Sequence, residues 1–251
     1  MSASSQPLRG KAAVVTGGSR GIGRAIVERL ARDGAEVVFS YARARELAAG
    51  VTSAVAAAGG TAHAVRADFT DPAAAGALME RASELLGGLD VLVNNAAVVL
   101  PSRTLAETEE DAFDQALAVN LKSAFLTLRY AARHMRAGGR IVSISTLNTT
   151  RPAPGIALYV TGKGALEHLT AVAALELGGR GITVNTVSPG ATDTDMLRAA
   201  NAPEALERVP ALTPLGRLGE PADIADVVAF LTGPDGRWVT GQNIRATGGL
   251  G

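Results

Sequence analysis

The feature that most constrains this chain is a glycine-rich turn set directly after its first strand-like run. Ala12-Ala13-Val14-Val15-Thr16 is a short apolar stretch of the kind that forms a buried strand. Gly17-Gly18-Ser19-Arg20-Gly21-Ile22-Gly23 follows, and Ala25, Ile26 and Leu30 then recur at helical spacing. A strand, a glycine turn and a helix in that order present unpaired N–H groups and the positive end of a helix dipole. The glycines permit a tight turn and a close approach of backbone to a ligand, which suits a pyrophosphate. Gly17, Ser19, Arg20, Gly21, Ile22 and Gly23 are therefore candidate phosphate-binding residues.

The same residues also match G-x-S-x-G, the strained turn that exposes a nucleophilic serine in α/β-hydrolases. Ser19 would then attack an ester, with His63, His134 or His168 as its base. That turn usually follows several strands, whereas here it follows the first, where dinucleotide binders place their glycine loop. Phosphate binding is the preferred reading.

Strand-like and helix-like segments alternate through the rest of the chain. Strands are predicted at 35–41, 61–67, 89–94, 139–146, 181–188 and 241–246. Helices are predicted at 46–58, at 72–86 behind an Asp71-Pro72 cap, at 109–135, from about 158, and from Pro221. Without repeats or a linker, this alternation describes an α/β chain: a single doubly wound parallel sheet of about seven strands with helices on both faces. Residues 1–8 read as a flexible tail and 9–251 as one catalytic domain. The polar, proline-containing stretch near 191–215 is a candidate substrate lid.

Composition excludes several classes of function. Lys plus Arg and Asp plus Glu both number 24, with no basic stripe, so nucleic acid is not an expected partner. No apolar run reaches the ~18 residues needed to span a bilayer, so no membrane partner is expected. The chain has no cysteine, which removes disulfides and thiolate chemistry and fits a cytoplasmic location. Its three histidines are scattered, so no metal site is expected.

Chemistry concentrates in a few places. Tyr159 and Lys163 lie four residues apart, on one face of a predicted helix. An ammonium beside a phenol favours the phenolate, so the tyrosine is expected to titrate below its ordinary value and to exchange a proton near neutral pH. The second strand ends in Tyr41-Ala42-Arg43 without the acid that commonly bonds a ribose 2′-hydroxyl. Arg43 together with Arg20 can instead clamp a 2′-phosphate, which points to NADP(H). Asp68 ends the third strand, placed either to close a turn or to bond an adenine amino group. Asn94-Asn95-Ala96-Ala97 ends the fourth with amides that can lock a strand end and small residues beside which a flat ring can lie. Asn120, in mid-helix, implies either a solvent-facing amide or a local break in the helix.

In order and spacing these residues resemble the short-chain dehydrogenase/reductase family, and in particular bacterial 3-oxoacyl-carrier-protein-reductase-like members. The resemblance runs from about Gly10 to the C-terminus. It rests on Thr16-Gly17-x-x-x-Gly21-Ile22-Gly23, Asp68, Asn94-Asn95-Ala96, Asn120, Ser145-Thr146, Tyr159-x-x-x-Lys163, Pro189-Gly190-x-x-x-Thr194 and the closing Gly248-Gly249. It implies an NADP(H)-dependent oxidoreductase moving a hydride between nicotinamide and a carbonyl or secondary alcohol. Tyr159 would be the acid/base, Lys163 would hold the ribose and lower the tyrosine pKa, and Asn120 would hold a water behind Lys163. The catalytic hydroxyl falls on Thr146, with Ser145 as second choice. Asp68, Phe69, Tyr41, Asn94, Ala96, Pro189, Gly190, Thr192 and Thr194 would complete the cofactor site. The family also implies a homotetramer, with the helices around 113–135 and 156–177 as contact surfaces.

The pattern departs from the family at Thr146, at Ala97 where a glycine is usual, and at Gly162 and Gly164. The substrate pocket is expected from 98–103, 146–156 and 191–211, mostly apolar segments that favour a hydrophobic ketone. Two alternatives stand beside it. One is a 3-oxoacyl-thioester reductase, for which Arg133, Arg136 and Arg180 would supply a basic mouth. The other is an NADPH-binding sensor without turnover.

Overall fold

The computed structural model describes residues 6–250. Seven strands, β1 (Ala12–Val15), β2 (Glu36–Tyr41), β3 (Thr61–Arg66), β4 (Val91–Asn94), β5 (Arg140–Ile144), β6 (Thr183–Pro189) and β7 (Asn243–Ala246), form one sheet in the order β3-β2-β1-β4-β5-β6-β7. Every pairing is parallel. The strand order reverses between β1 and β4, so the chain leaves these neighbours toward opposite sides. A crevice opens at their C-terminal ends, where such sheets bind ligands.

Both faces of the sheet are covered, and the period of two in the strands divides the core. Val37 and Phe39 join Ile26, Leu30, Val51 and Val228 on one side. Val38 joins Leu92, Leu78, Leu128, Ile141 and Leu177 on the other. The first face carries α1 (Gly21–Arg32), α2 (Arg45–Ala57) and α9 (Pro221–Thr232). The second carries α3 (Ala74–Leu86), α5 (Ser123–His134) and α6 (Ala157–Leu177), with α4 (Glu110–Leu117) leading into α5.

Three expectations change. Residues 1–5 lie outside the described residues, but Leu8 is 3% exposed and packs in the core, so the ordered fold starts before the expected boundary. Asp71 receives the N–H of Ala73 in a turn, and α3 begins later, at Ala74, behind Ala73. The long helix predicted at 109–135 is broken by a π turn over Ala118–Lys122. The lid candidate holds two short helices, α7 (Asp195–Ala200) and α8 (Pro203–Leu212).

Helix α6 packs directly on the π turn. A Cβ built on Gly162 would lie 3.0 Å from the Asn120 Cβ, so glycine at 162 allows the close approach. Gly164 has nothing within 4 Å of such a carbon. Gly164→Ala should therefore keep the fold and gain up to ~1 kcal/mol from helix propensity. Gly162→Leu should lose about 1–3 kcal/mol by overpacking. Thermal melts of the two variants check this; equal midpoints would mean that α6 does not sit tightly on the turn.

Candidate active site

A cleft of about 940 Å³ runs along the C-terminal edge of the sheet, from the start of α1 to the start of α6. At one end, Gly17 and Gly21 hold φ of 69° and 54°, in the left-handed region that favours glycine. A Cβ on Gly23 would sit 2.1 Å from the Gly17 carbonyl oxygen, so the turn closes only with glycine there. The turn is fixed from both sides. The Gly17 N–H donates to Ser40 Oγ at 3.0 Å, and Asn95 Nδ2 donates to the carbonyls of Thr16 and Gly17, each at 3.0 Å. Thr16 Oγ1 accepts the N–H groups of Asn95 and Ala96.

Helix α1 starts without a capping side chain, and its first turn contains no acid. Its leading N–H groups are thus free to meet an anion in the cleft. Arg20 and Arg43 are exposed on the cleft wall, and among the described residues neither forms an ion pair. Asp68 accepts from the hydroxyl and N–H of Thr70. These bonds hold its carboxyl below the ordinary value, with Arg43 and Arg66 adding to the effect. An uncapped helix, a close glycine backbone, two unpaired guanidiniums and an ionised acid fit a dinucleotide carrying an extra phosphate.

At the other end, Tyr159 sits in the first turn of α6, with Lys163 one turn on. Lys163 is 1% exposed; its Nζ donates to the Ile144 carbonyl at 2.6 Å and lies 5.9 Å from the Tyr159 ring centroid. Burial pushes Lys163 down to about 8, against the pull of Glu167. Tyr159 departs from the expected direction. Burial raises its pKa, and only the Thr146 hydroxyl opposes that. The ammonium is aimed at a carbonyl rather than at the phenol oxygen, so desolvation wins and the phenol is held neutral. A neutral phenol is a proton donor.

The two candidate hydroxyls separate. Ser145 Oγ donates to Glu167 Oε1 at 2.5 Å, whereas Thr146 faces Tyr159. Asn120 does not line the cleft. It is 1% exposed, its Oδ1 accepts the Val98 N–H and its Nδ2 donates to the Val98 carbonyl, so the solvent-facing reading fails and the helix break stands. Asn94 is not in the cleft either. Its Oδ1 accepts from Thr127, and its buried Nδ2 has no partner among the described residues. The lock on the glycine turn is made by Asn95.

The remaining candidates line the cleft: Ser19, Ile22, Tyr41, Phe69, Ala96, Pro189, Gly190, Thr192 and Thr194. Of the expected pocket segments, Val98, Val99, Ile156 and the faces of α7 and α8 contribute, and Arg103 does not. Gln115 and Leu250 join them without a sequence signal, since the fold alone brings them there. None of the three histidines lines the cleft, so Ser19 has no base and the hydrolase reading falls.

Comparison with known proteins places the chain among oxidoreductases of this fold. The family described as enoyl-(acyl carrier protein) reductase matches residues 17–251. An uncharacterized oxidoreductase of Methylorubrum extorquens is 44% identical, over 97% of this chain and 98% of that protein. An NADPH-dependent aldehyde reductase-like chloroplastic protein of Arabidopsis thaliana is 37% identical, over 97% and 95%. The crystal structure of a short chain dehydrogenase from Burkholderia cenocepacia in complex with NADP superimposes with a TM-score of 0.92 at 42% identity, covering 97% of this chain and 99% of that one.

The two unpaired guanidiniums yield a direct expectation. Replacing Arg20 and Arg43 together by alanine should weaken NADPH about tenfold or more and leave NADH nearly unchanged, because charge-assisted bonds to the extra phosphate are lost. Fluorescence titration with both nucleotides measures the ratio. An unaltered preference would place the 2′-phosphate on other residues.

Proposed function

The chain belongs to the short-chain dehydrogenase/reductase family and is an NADP-dependent reductase, and from that premise we propose that it reduces the carbonyl of a free, hydrophobic ketone with Tyr159 as proton donor. The observation that carries the reading is the convergence of Tyr159, Thr146 and buried Lys163 in the cleft, beside the apolar side chains of Val98, Val99, Leu147, Met196, Leu206 and Val209. Bound NADPH supplies the hydride. The Thr146 hydroxyl donates to the substrate oxygen and fixes its position. The Tyr159 phenol, kept neutral by burial, gives that oxygen its proton. Lys163, charged below about 8, offsets the negative charge this leaves on Tyr159 and would hold the ribose hydroxyls of the bound nucleotide. Asn120 and its π turn bridge the Val98 loop to α6, on the side from which a water would return the proton.

A free ketone is favoured over a carrier-bound thioester by charge. Among the described residues, the only basic ones lining the cleft are Arg20 and Arg43 at the nucleotide end, and Lys163. Arg136 is paired with Asp90, and Arg180 donates to the carbonyls of Ala132 and Met135; neither they nor Arg133 line the cleft. The name of the Arabidopsis relative fits a carbonyl substrate. Helices α7 and α8 serve as the lid, since they bring Met196, Leu197, Leu206 and Val209 over the substrate half. A homotetramer remains part of this reading, supported by exposed Phe113, Phe125, Val172 and Leu175 on α4, α5 and α6. Among the described residues, no helix is long and apolar enough to cross a membrane.

A panel of aromatic and aliphatic ketones and 3-oxoacyl thioesters, followed by NADPH absorbance, tests the proposal. Hydrophobic ketones should turn over best, and Tyr159→Phe should lower kcat by about two orders of magnitude or more while NADPH still binds. No turnover anywhere, with Tyr159→Phe indistinguishable, would favour a sensor. The pH dependence follows from Lys163, whose charged form is present below its folded pKa. Reduction should hold at neutral pH and decline as pH rises through about 8. A profile flat to well above that value would remove the charged lysine from the chemistry.

A further inference from the structure

Glu167 is a carboxylate one helical turn beyond Lys163, with no cationic partner in contact among the described residues. What it holds instead are hydroxyls. Its Oε1 accepts from Ser145 Oγ at 2.5 Å, at the end of β5, and from Thr149 Oγ1 at 2.8 Å, whose proton is shared with the Thr146 carbonyl at 3.0 Å. Ser188 Oγ, on β6, lies 3.4 Å away, but its single proton is directed to Asn243 Oδ1 at 2.7 Å. Ser145 and Thr149 bracket the short turn Leu147–Thr149, whose N-cap is Thr146. One carboxylate oxygen thus ties both ends of the segment that presents the Thr146 hydroxyl to the helix that carries Tyr159 and Lys163.

We infer that Glu167 is a positioning residue for this site: it anchors the Thr146 segment to α6, one turn beyond Lys163. The inference rests on the reading above, in which Thr146, Tyr159 and Lys163 meet the substrate and cofactor. Glu167 touches neither. Its hydrogen bonds fix where Thr146 stands, and its negative charge favours the ammonium of Lys163 through space. The titratable and charged groups around the pair are few. Tyr159 shares the helix, and so does His168, which is exposed with its ring against the Gly164 carbonyl. From β5, the Leu147–Thr149 turn and β6, Glu167 meets only hydroxyls. On β7, Arg245 is aligned with Ser188 but exposed.

Two variants separate the anchoring from the charge. Glu167→Gln keeps an oxygen acceptor for Ser145 and Thr149 and removes the charge. Glu167→Leu removes both. The Lys163 pKa is read by NMR titration of ¹³C-lysine-labelled protein without nucleotide, and kcat and KM are read with the best ketone. In Glu167→Gln the lysine pKa should fall below its value in the parent protein, and the alkaline limb of kcat/KM should move with it. Below both lysine values its kcat should return close to the starting level. In Glu167→Leu kcat should drop about tenfold or more at every pH, with NADPH affinity within about twofold, because Thr146 loses its anchor. An unshifted lysine pKa in Glu167→Gln, or an unchanged kcat in Glu167→Leu, overturns the inference. The titration needs no turnover. If the parent protein reduces no ketone, the functional reading fails while the effect of Glu167 on Lys163 is still decided.

Discussion

The site depends on one costly act, the burial of an ammonium. Lys163 lies beneath the surface with a single direct acceptor among the described residues, the Ile144 carbonyl at 2.6 Å. Moving a charge out of water is expensive, and the protein answers by drawing the lysine pKa down to about 8. At that value the group stays charged at neutral pH yet sits close to its titration. The same desolvation keeps the neighbouring phenol protonated. A neutral acid beside a marginal cation is a different device from a tyrosine already half ionised by its neighbour. It favours giving a proton to an oxygen that is gaining charge.

The sheet explains why these groups meet where a nucleotide fits. The reversal between β1 and β4 leaves a crevice, and the glycine turn lets α1 point its uncapped start into it. Asn95 bolts β4 to that turn through two carbonyls, so the phosphate end is held by the strand that also leads to the substrate loop. On the far side, the π turn at Asn120 holds Val98 by two hydrogen bonds and receives Gly162 of α6 at close range. Nucleotide end and catalytic end are therefore parts of one rigid frame. The apolar faces of α7 and α8 close the substrate half.

Much of this was legible in the sequence. Strand and helix alternation is strong in a parallel sheet because buried strands are continuously apolar and helices are periodic. The glycine turn and the Tyr159–Lys163 spacing are local, so they survive translation into structure. What failed was non-local. The helical pattern over 109–135 gave no sign of the break, though Asn120 in its middle did; which of its two readings held was decided by Val98 and by Gly162, 42 residues later, packed against it. Two adjacent asparagines cannot declare which faces the cleft. The direction of the Tyr159 shift needed the depth of its surroundings and the aim of the ammonium, neither of which spacing records. Glu167 was readable as a residue one turn past Lys163, but only the fold shows that Ser145 and Thr149 converge on it.

A structure of the ternary complex with NADP and the alcohol product of the preferred ketone tests the central claim most directly. The account requires the product oxygen within hydrogen-bonding distance of both the Tyr159 phenol and the Thr146 hydroxyl, with Lys163 still buried behind them. A product oxygen bound by Ser145 instead, or a Tyr159 hydroxyl out of reach of it, would contradict the account.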